Sequence, residues 1–229
     1  MARMWDRMLY ALWGVATLAI GIAIYLVFLH APEERVMGPP QRIFYFHVPI
    51  AMMTFLAVFV LLVGSLGYLW TRQRAWDDLA RAASEVGLLF CTLVLITGPI
   101  WAKPAWGVWW TWEARLTTTL LLWLLLVGGQ MVRSYATNRD QGARLAAVVG
   151  IVAALDVPIV YKAVDWWRGQ HPVLFRPGAG RALAPGMSET FSFCIWAFAL
   201  LFALLLALRF RLARIEDRTL DCVERLSAG

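Results

Sequence analysis

The chain has 229 residues, of which 61% are hydrophobic and 16% charged, and its mean hydropathy is +0.64. A soluble domain is about 45–50% apolar and about 25% charged, so one water-facing core of this size does not account for the excess, and lipid must solvate much of the chain. Disorder, a collagen-like fibre and a disulfide-stapled mini-protein are excluded by the same numbers. The net charge of +6 comes in short basic clusters between apolar runs, which is the pattern of membrane topology signals rather than of a nucleic-acid-binding face.

In chain order, apolar runs long enough to cross a bilayer fall at about 8–29, 47–70, 83–101, 115–132, 144–162 and 189–208. The first is too long for a signal-peptide core and no A-x-A site follows it, so it reads as a retained span. The expected fold is all-α, a six-helix polytopic bundle forming one integral membrane domain over 1–229. Connections are short except near 30–46 and 163–188, and those two lie on the same side. With the N-terminus inside, thirteen arginines fall on the cytoplasmic side and eight basic residues on the other, which predicts N-in and C-in.

That topology collects chemistry on the outer face. His30, His47 and His171 all sit at outer ends of spans or in outer loops. So does Trp101-Ala-Lys-Pro-Ala-Trp106-Gly-Val-Trp109-Trp110-Thr-Trp112-Glu113-Ala-Arg115-Leu-Thr117, which holds five of the chain's 13 tryptophans. Trp166 and Trp167 stand just before His171. Flat aromatics, imidazoles and arginines suit haem: a macrocycle that stacks, an iron that takes axial imidazoles, and propionates that pair with guanidinium. A helix over 106–112 would put Trp106, Trp109 and Trp110 on one face as a stacking platform.

Each feature also has a plainer reading. A single interfacial tryptophan is usually a membrane anchor, although five around a glycine and a Glu-x-Arg argue for a site. A lone histidine at a helix end is usually a surface or capping residue, which is the reading of His30. His47, in Arg42-Ile-Phe-Tyr-Phe-His47-Val-Pro49, and His171, in Trp166-Trp167-Arg168-Gly-Gln-His171-Pro172, each admit either reading. Asp156 is an acid inside a span, where function is the default, yet it stands close enough to Pro158 to cap the backbone that the proline frees. Cys91, Cys194 and Cys222 make no CxxC; Cys91 and Cys194 read as inert packing.

The segment from Thr97-Gly98-Pro99-Ile100-Trp101 through Trp106-Gly107-Val108-Trp109-Trp110-Thr111-Trp112-Glu113 to Arg115-Leu116-Thr117 resembles the tryptophan-rich WWD signature of haem-handling proteins. Length, six spans and a single histidine pair resemble the CcmC family, the C component of cytochrome c maturation, and the likeness runs through essentially the whole chain. It implies that His47 and His171 are axial ligands of a non-covalent, b-type haem exposed at the periplasmic face of a bacterial inner membrane. It also implies that Trp106, Trp109, Trp110, Trp112, Glu113 and Arg115 form the haem platform and that Arg42 meets a propionate. The family carries aspartate where this chain has Glu113, so the carboxylate is kept with one extra methylene.

The resemblance further implies delivery of haem to a CcmE-like membrane-anchored chaperone, alongside CcmA- and CcmB-like ATP-binding cassette subunits and a small CcmD-like single-span subunit. The chain has no GxxxxGK[ST] loop, so nucleotide hydrolysis would belong to those partners, and no Cys-x-x-Cys-His, so it is not the recipient cytochrome. Two other functions stay in view: a b-type bis-histidine electron carrier, and a subunit that transports haem across the bilayer.

Overall fold

A computed structural model describes residues 2–167, 171 and 183–227. Six long helices account for almost all of it, and each is long and apolar enough to cross a membrane. α1 (Ala2–Tyr25) runs on through a π-helical turn, Leu26–His30, and a loop then enters a 3-10 turn at Pro39–Ile43. α2 (Phe44–Thr71), α3 (Arg74–Trp106), α4 (Ala114–Tyr135), α5 (Arg139–Trp167) and α6 (Met187–Ser227) follow. Successive spans alternate in direction, so the ends nearest His30, His47, Trp106, Ala114, Trp167 and Met187 gather at one end of the bundle. This is called the histidine end below, and the opposite one the arginine end.

The helices outrun the apolar runs that mark them. α3 begins at Arg74 rather than near 83, α5 begins at Arg139 rather than near 144, and α6 continues to Ser227 rather than stopping near 208. An apolar run measures lipid contact, whereas a helix persists wherever its charges find partners. At the arginine end they do. Arg133 forks onto Asp77 at 2.8 and 2.6 Å, and Arg139 reaches both Asp217 at 2.7 Å and Asp221 at 2.8 Å. Arg81 meets Glu216 at 2.6 Å, and Arg209 pairs with Glu85. These arginines therefore do more than mark topology: Arg133 joins α4 to α3, and the other three tie the C-terminal extension of α6 to α3 and α5.

Between helices the packing is close. Gly64 on α2 faces Ala80 on α3 so tightly that a Cβ there would stand 2.8 Å from the Ala80 backbone nitrogen. Backbone does not step aside as a flexible side chain does. Gly64→Val should therefore lower stability by about 1–3 kcal/mol through overpacking. A thermal melt of the purified protein in detergent is the check, and an unchanged melting temperature would refute this account of the contact. Nearby, α2, α3, α4 and α5 share a core of Val58, Leu61, Ala83, Cys91, Leu122, Leu126 and Ala153. α1 packs against α2 and α6 through Ala23, Val27, Tyr45, Phe191 and Cys194. Cys91 and Cys194 are buried free thiols, consistent with packing, while Cys222 is exposed.

At the histidine end the helices carry prolines: Pro49 in α2, Pro99 and Pro104 in α3, and Pro158 in α5. Each removes one i→i−4 backbone bond, which a spanning helix tolerates where neighbours enclose the gap. That end is where the four central helices leave space between them.

Candidate functional site

A cavity of about 620 Å³ opens between α2, α3, α4 and α5 at the histidine end. Its size falls within the range of small-molecule and cofactor sites. Its wall is mainly apolar, with Phe44, Val48, Met52, Phe55, Leu95 and Leu116 among its members. Into this wall come His47 from the second turn of α2, Arg115 from the first turn of α4, Lys162 and Asp165 from the end of α5, and His171 from the connection beyond it.

The two imidazoles are held in the same way by different partners. Thr97 gives its hydroxyl proton to the Leu93 carbonyl, 2.7 Å away, as threonines within helices commonly do. A hydroxyl has only one proton, so toward His47 Nδ1, also 2.7 Å away, Thr97 Oγ1 is the acceptor. His47 therefore carries its proton on Nδ1 and keeps Nε2 bare. His171 Nδ1 donates to Glu113 Oε1, and a carboxylate likewise fixes the tautomer and leaves Nε2 as the available ligand atom. Burial lowers the His171 pKa from its ordinary value, opposed by the neighbouring Glu113 carboxylate and reinforced by Arg115. A neutral imidazole is the form a metal can bind.

Glu113 reaches His171 because of where the helix starts. It is the N-cap residue of α4, with extended backbone, yet its side chain makes no capping bond. Aspartate at an N-cap readily folds back onto the helix's first N–H groups. Glutamate caps poorly and has the additional methylene to extend elsewhere, so this carboxylate is available to a residue 58 positions along the chain.

The aromatic segment differs from a helical platform. α3 ends at Trp106, Gly107 adopts the left-handed conformation at φ 80°, and residues 108–113 are non-helical before α4 begins. Gly107 supplies the positive φ that ends a helix at low cost, so the condition for a one-faced platform, a helix over 106–112, is not met. The tryptophans consequently separate. Trp106 sets its ring edge-on to the His171 imidazole at 5.1 Å and to Trp101 at 5.1 Å. Trp101 and Trp110 line the cavity, each with a buried indole N–H that has no hydrogen-bond partner among the described residues. Trp109 and Trp112 face outward, 58% and 75% exposed.

Other expected residues fall in varied places. Arg42 donates to the Phe28 carbonyl at 2.6 Å and lies over the Phe28 ring, and it is not among the residues that line the cavity. His30 is exposed at the end of the π-helical turn, in keeping with a surface residue. Asp156 is 4% exposed, and its Oδ2 has no hydrogen-bond partner among the described residues. Arg168, Arg176, Arg181 and Pro172 lie outside the described residues. Sequence reasoning missed Thr97, Lys162 and Asp165. The signal for Lys162 was present, since it is one of only two lysines in a chain with 21 basic residues.

Six membrane-crossing helices with a two-imidazole cavity at one end define a multi-pass membrane protein with an enclosed space between its helices. Sequence comparison then gives the lineage. The family model for CcmC, described as "Heme exporter protein C", matches residues 1–223. A protein of that name from Bradyrhizobium diazoefficiens is 33% identical over 221 residues, covering 95% of this chain and 84% of the relative. The Escherichia coli K12 protein of the same name is 31% identical over 207 residues, covering 87% and 83%, and the Paracoccus denitrificans protein is 34% identical over 187 residues, covering 79% and 76%. The chain belongs to the Heme exporter protein C family.

Proposed function

We propose that this chain binds haem, as cargo, at the outer face of a bacterial cytoplasmic membrane and hands it to a membrane-anchored chaperone during c-type cytochrome maturation. The observation that carries the reading is the pair of imidazoles on one cavity wall, His47 and His171, each with Nδ1 committed to an acceptor and Nε2 left over. Haem iron accepts such nitrogens axially. The wall fits the rest of the molecule: apolar side chains and indole faces for the macrocycle, and Arg115 for a propionate. The two unpartnered indole N–H groups suit a ligand that brings acceptors. The basic bias of the arginine end supports N-in and C-in, with the cavity outside.

Purification settles delivery against electron transport. The chain should copurify with non-covalent haem, and adding the apo form of a CcmE-like chaperone should move that haem onto the chaperone. Haem that stays bound while cycling between redox states, with no transfer, would favour a b-type electron carrier. The ATP-binding cassette pair and the small single-span subunit are the partners this role requires for release of loaded chaperone.

Arg115 carries a prediction of its own. A guanidinium presents a planar fork that an ammonium lacks, so Arg115→Lys should lower haem retention even though the charge is kept. Haem-to-protein stoichiometry after detergent purification checks this. Full retention would reassign Arg115 to topology alone.

A further inference from the structure

Only two cationic side chains, Arg115 and Lys162, appear among the described residues lining the cavity. Arg115 is on the first turn of α4, and Lys162 lies five residues before the end of the neighbouring, antiparallel α5. Both therefore stand at the histidine end. The two carboxylates of a haem leave the macrocycle from one edge, which calls for two cations on one side of the site. Arg42, bonded to the Phe28 carbonyl, does not supply the second from the cavity wall.

We propose that Lys162 and Asp165 form an exchangeable carboxylate site, in which Asp165 holds the Lys162 ammonium until a haem propionate takes its place. This rests on the haem reading above. Lys162 Nζ lies 3.6 Å from Asp165 Oδ2, beyond hydrogen-bond distance, with the two side chains 50% and 27% exposed. Such a loose, half-wet pair contributes little and is readily swapped for another carboxylate. Asp165 lines the same cavity as Arg115, so this carboxylate and both cations face one space. When cargo leaves, Asp165 returns to Lys162 and no cation is stranded beside an apolar wall. A protein that must give up its ligand gains from this arrangement, because Asp165 competes with the cargo for the same ammonium and holds affinity down.

The test compares haem with its dimethyl ester, which has the same ring and iron but no free carboxylates. Both are titrated into the full-length protein in detergent and followed by their absorption spectra. Lys162→Met should weaken haem binding about fivefold and leave the diester unchanged, while Asp165→Asn should tighten haem binding and slow its dissociation. Lys162→Arg should keep the preference for the diacid. Equal loss of diacid and diester in Lys162→Met would make Lys162 a structural or lipid-facing residue and overturn the proposal. So would an Asp165→Asn variant that binds haem no tighter than the parent. Wild-type protein that binds both porphyrins alike would remove the carboxylate site while leaving haem binding in place. Wild-type protein that binds neither would remove the haem reading and this site together.

Discussion

Replacing His47 or His171 with glycine should strip most of the haem from the purified chain, and millimolar imidazole should restore part of it. Each substitution deletes an axial nitrogen and leaves a hole of the right shape for the free base. The two variants should differ in their partners. Thr97 bonds His47 and Glu113 bonds His171, so Thr97→Val should mimic a weakened His47 and Glu113→Ala a weakened His171. Loss of an outer hydrogen bond to a metal-bound histidine typically costs about 10–100-fold in affinity, so these changes should fall short of the glycine variants yet be plain in a titration. Glu113→Gln keeps an acceptor oxygen and should retain more haem than Glu113→Ala. The measurement is the absorption spectrum and haem stoichiometry of each variant. Normal spectra in both glycine variants would remove bis-histidine ligation altogether.

The backbone plan was readable because it depends on quantities that sequence carries directly: run length, apolar fraction and the placement of arginine. Six helices follow from those. Helix ends were less readable, since α3, α5 and α6 extend into charged sequence whose stability comes from ion pairs between distant residues, such as Arg139 with Asp217. No local pattern announces a partner 78 positions away. The break at Gly107 was legible in principle: a glycine after a run containing Pro104 marks a helix end. Spacing alone, applied across that glycine, instead suggested a continuous face for Trp106, Trp109 and Trp110.

At the site, residue type was legible and connectivity was not. Histidine and tryptophan are scarce or bulky enough to stand out, so His47, His171 and Trp110, which line the cavity, drew notice in the sequence, as did Trp109 and Trp112, which do not. What orients them is ordinary in composition. Thr97 looks like any helical threonine until the fold sets it against a histidine 50 positions away, and Lys162 looks like an interfacial anchor until α5 lies beside α4. Asp156 shows the same boundary from the other side. An acid within a span draws notice at once, yet its Oδ2 has no hydrogen-bond partner among the described residues and burial alone assigns it no role.

The division of the tryptophans leads to an expected result that separates holding haem from giving it away. Trp106 touches the His171 ring and Trp110 lines the cavity, so Trp106→Ala and Trp110→Ala should reduce bound haem. Trp109 and Trp112 are mostly exposed beside the cavity segment and line none of it. Exposed aromatics of this size are strong anchors for a protein partner. Trp109→Ala and Trp112→Ala should therefore leave haem stoichiometry near that of the parent while cutting the yield of haem-loaded chaperone by about an order of magnitude, because capture depends on orienting chaperone and porphyrin together. The same pair of measurements, haem per protein and haem passed to chaperone, is made for all four variants. An interfacial anchoring role would instead lower the amount of folded protein in the membrane and leave transfer per molecule unchanged. Parallel loss of haem and transfer in Trp109→Ala and Trp112→Ala would mean that all four tryptophans serve binding, and that the chaperone docks elsewhere.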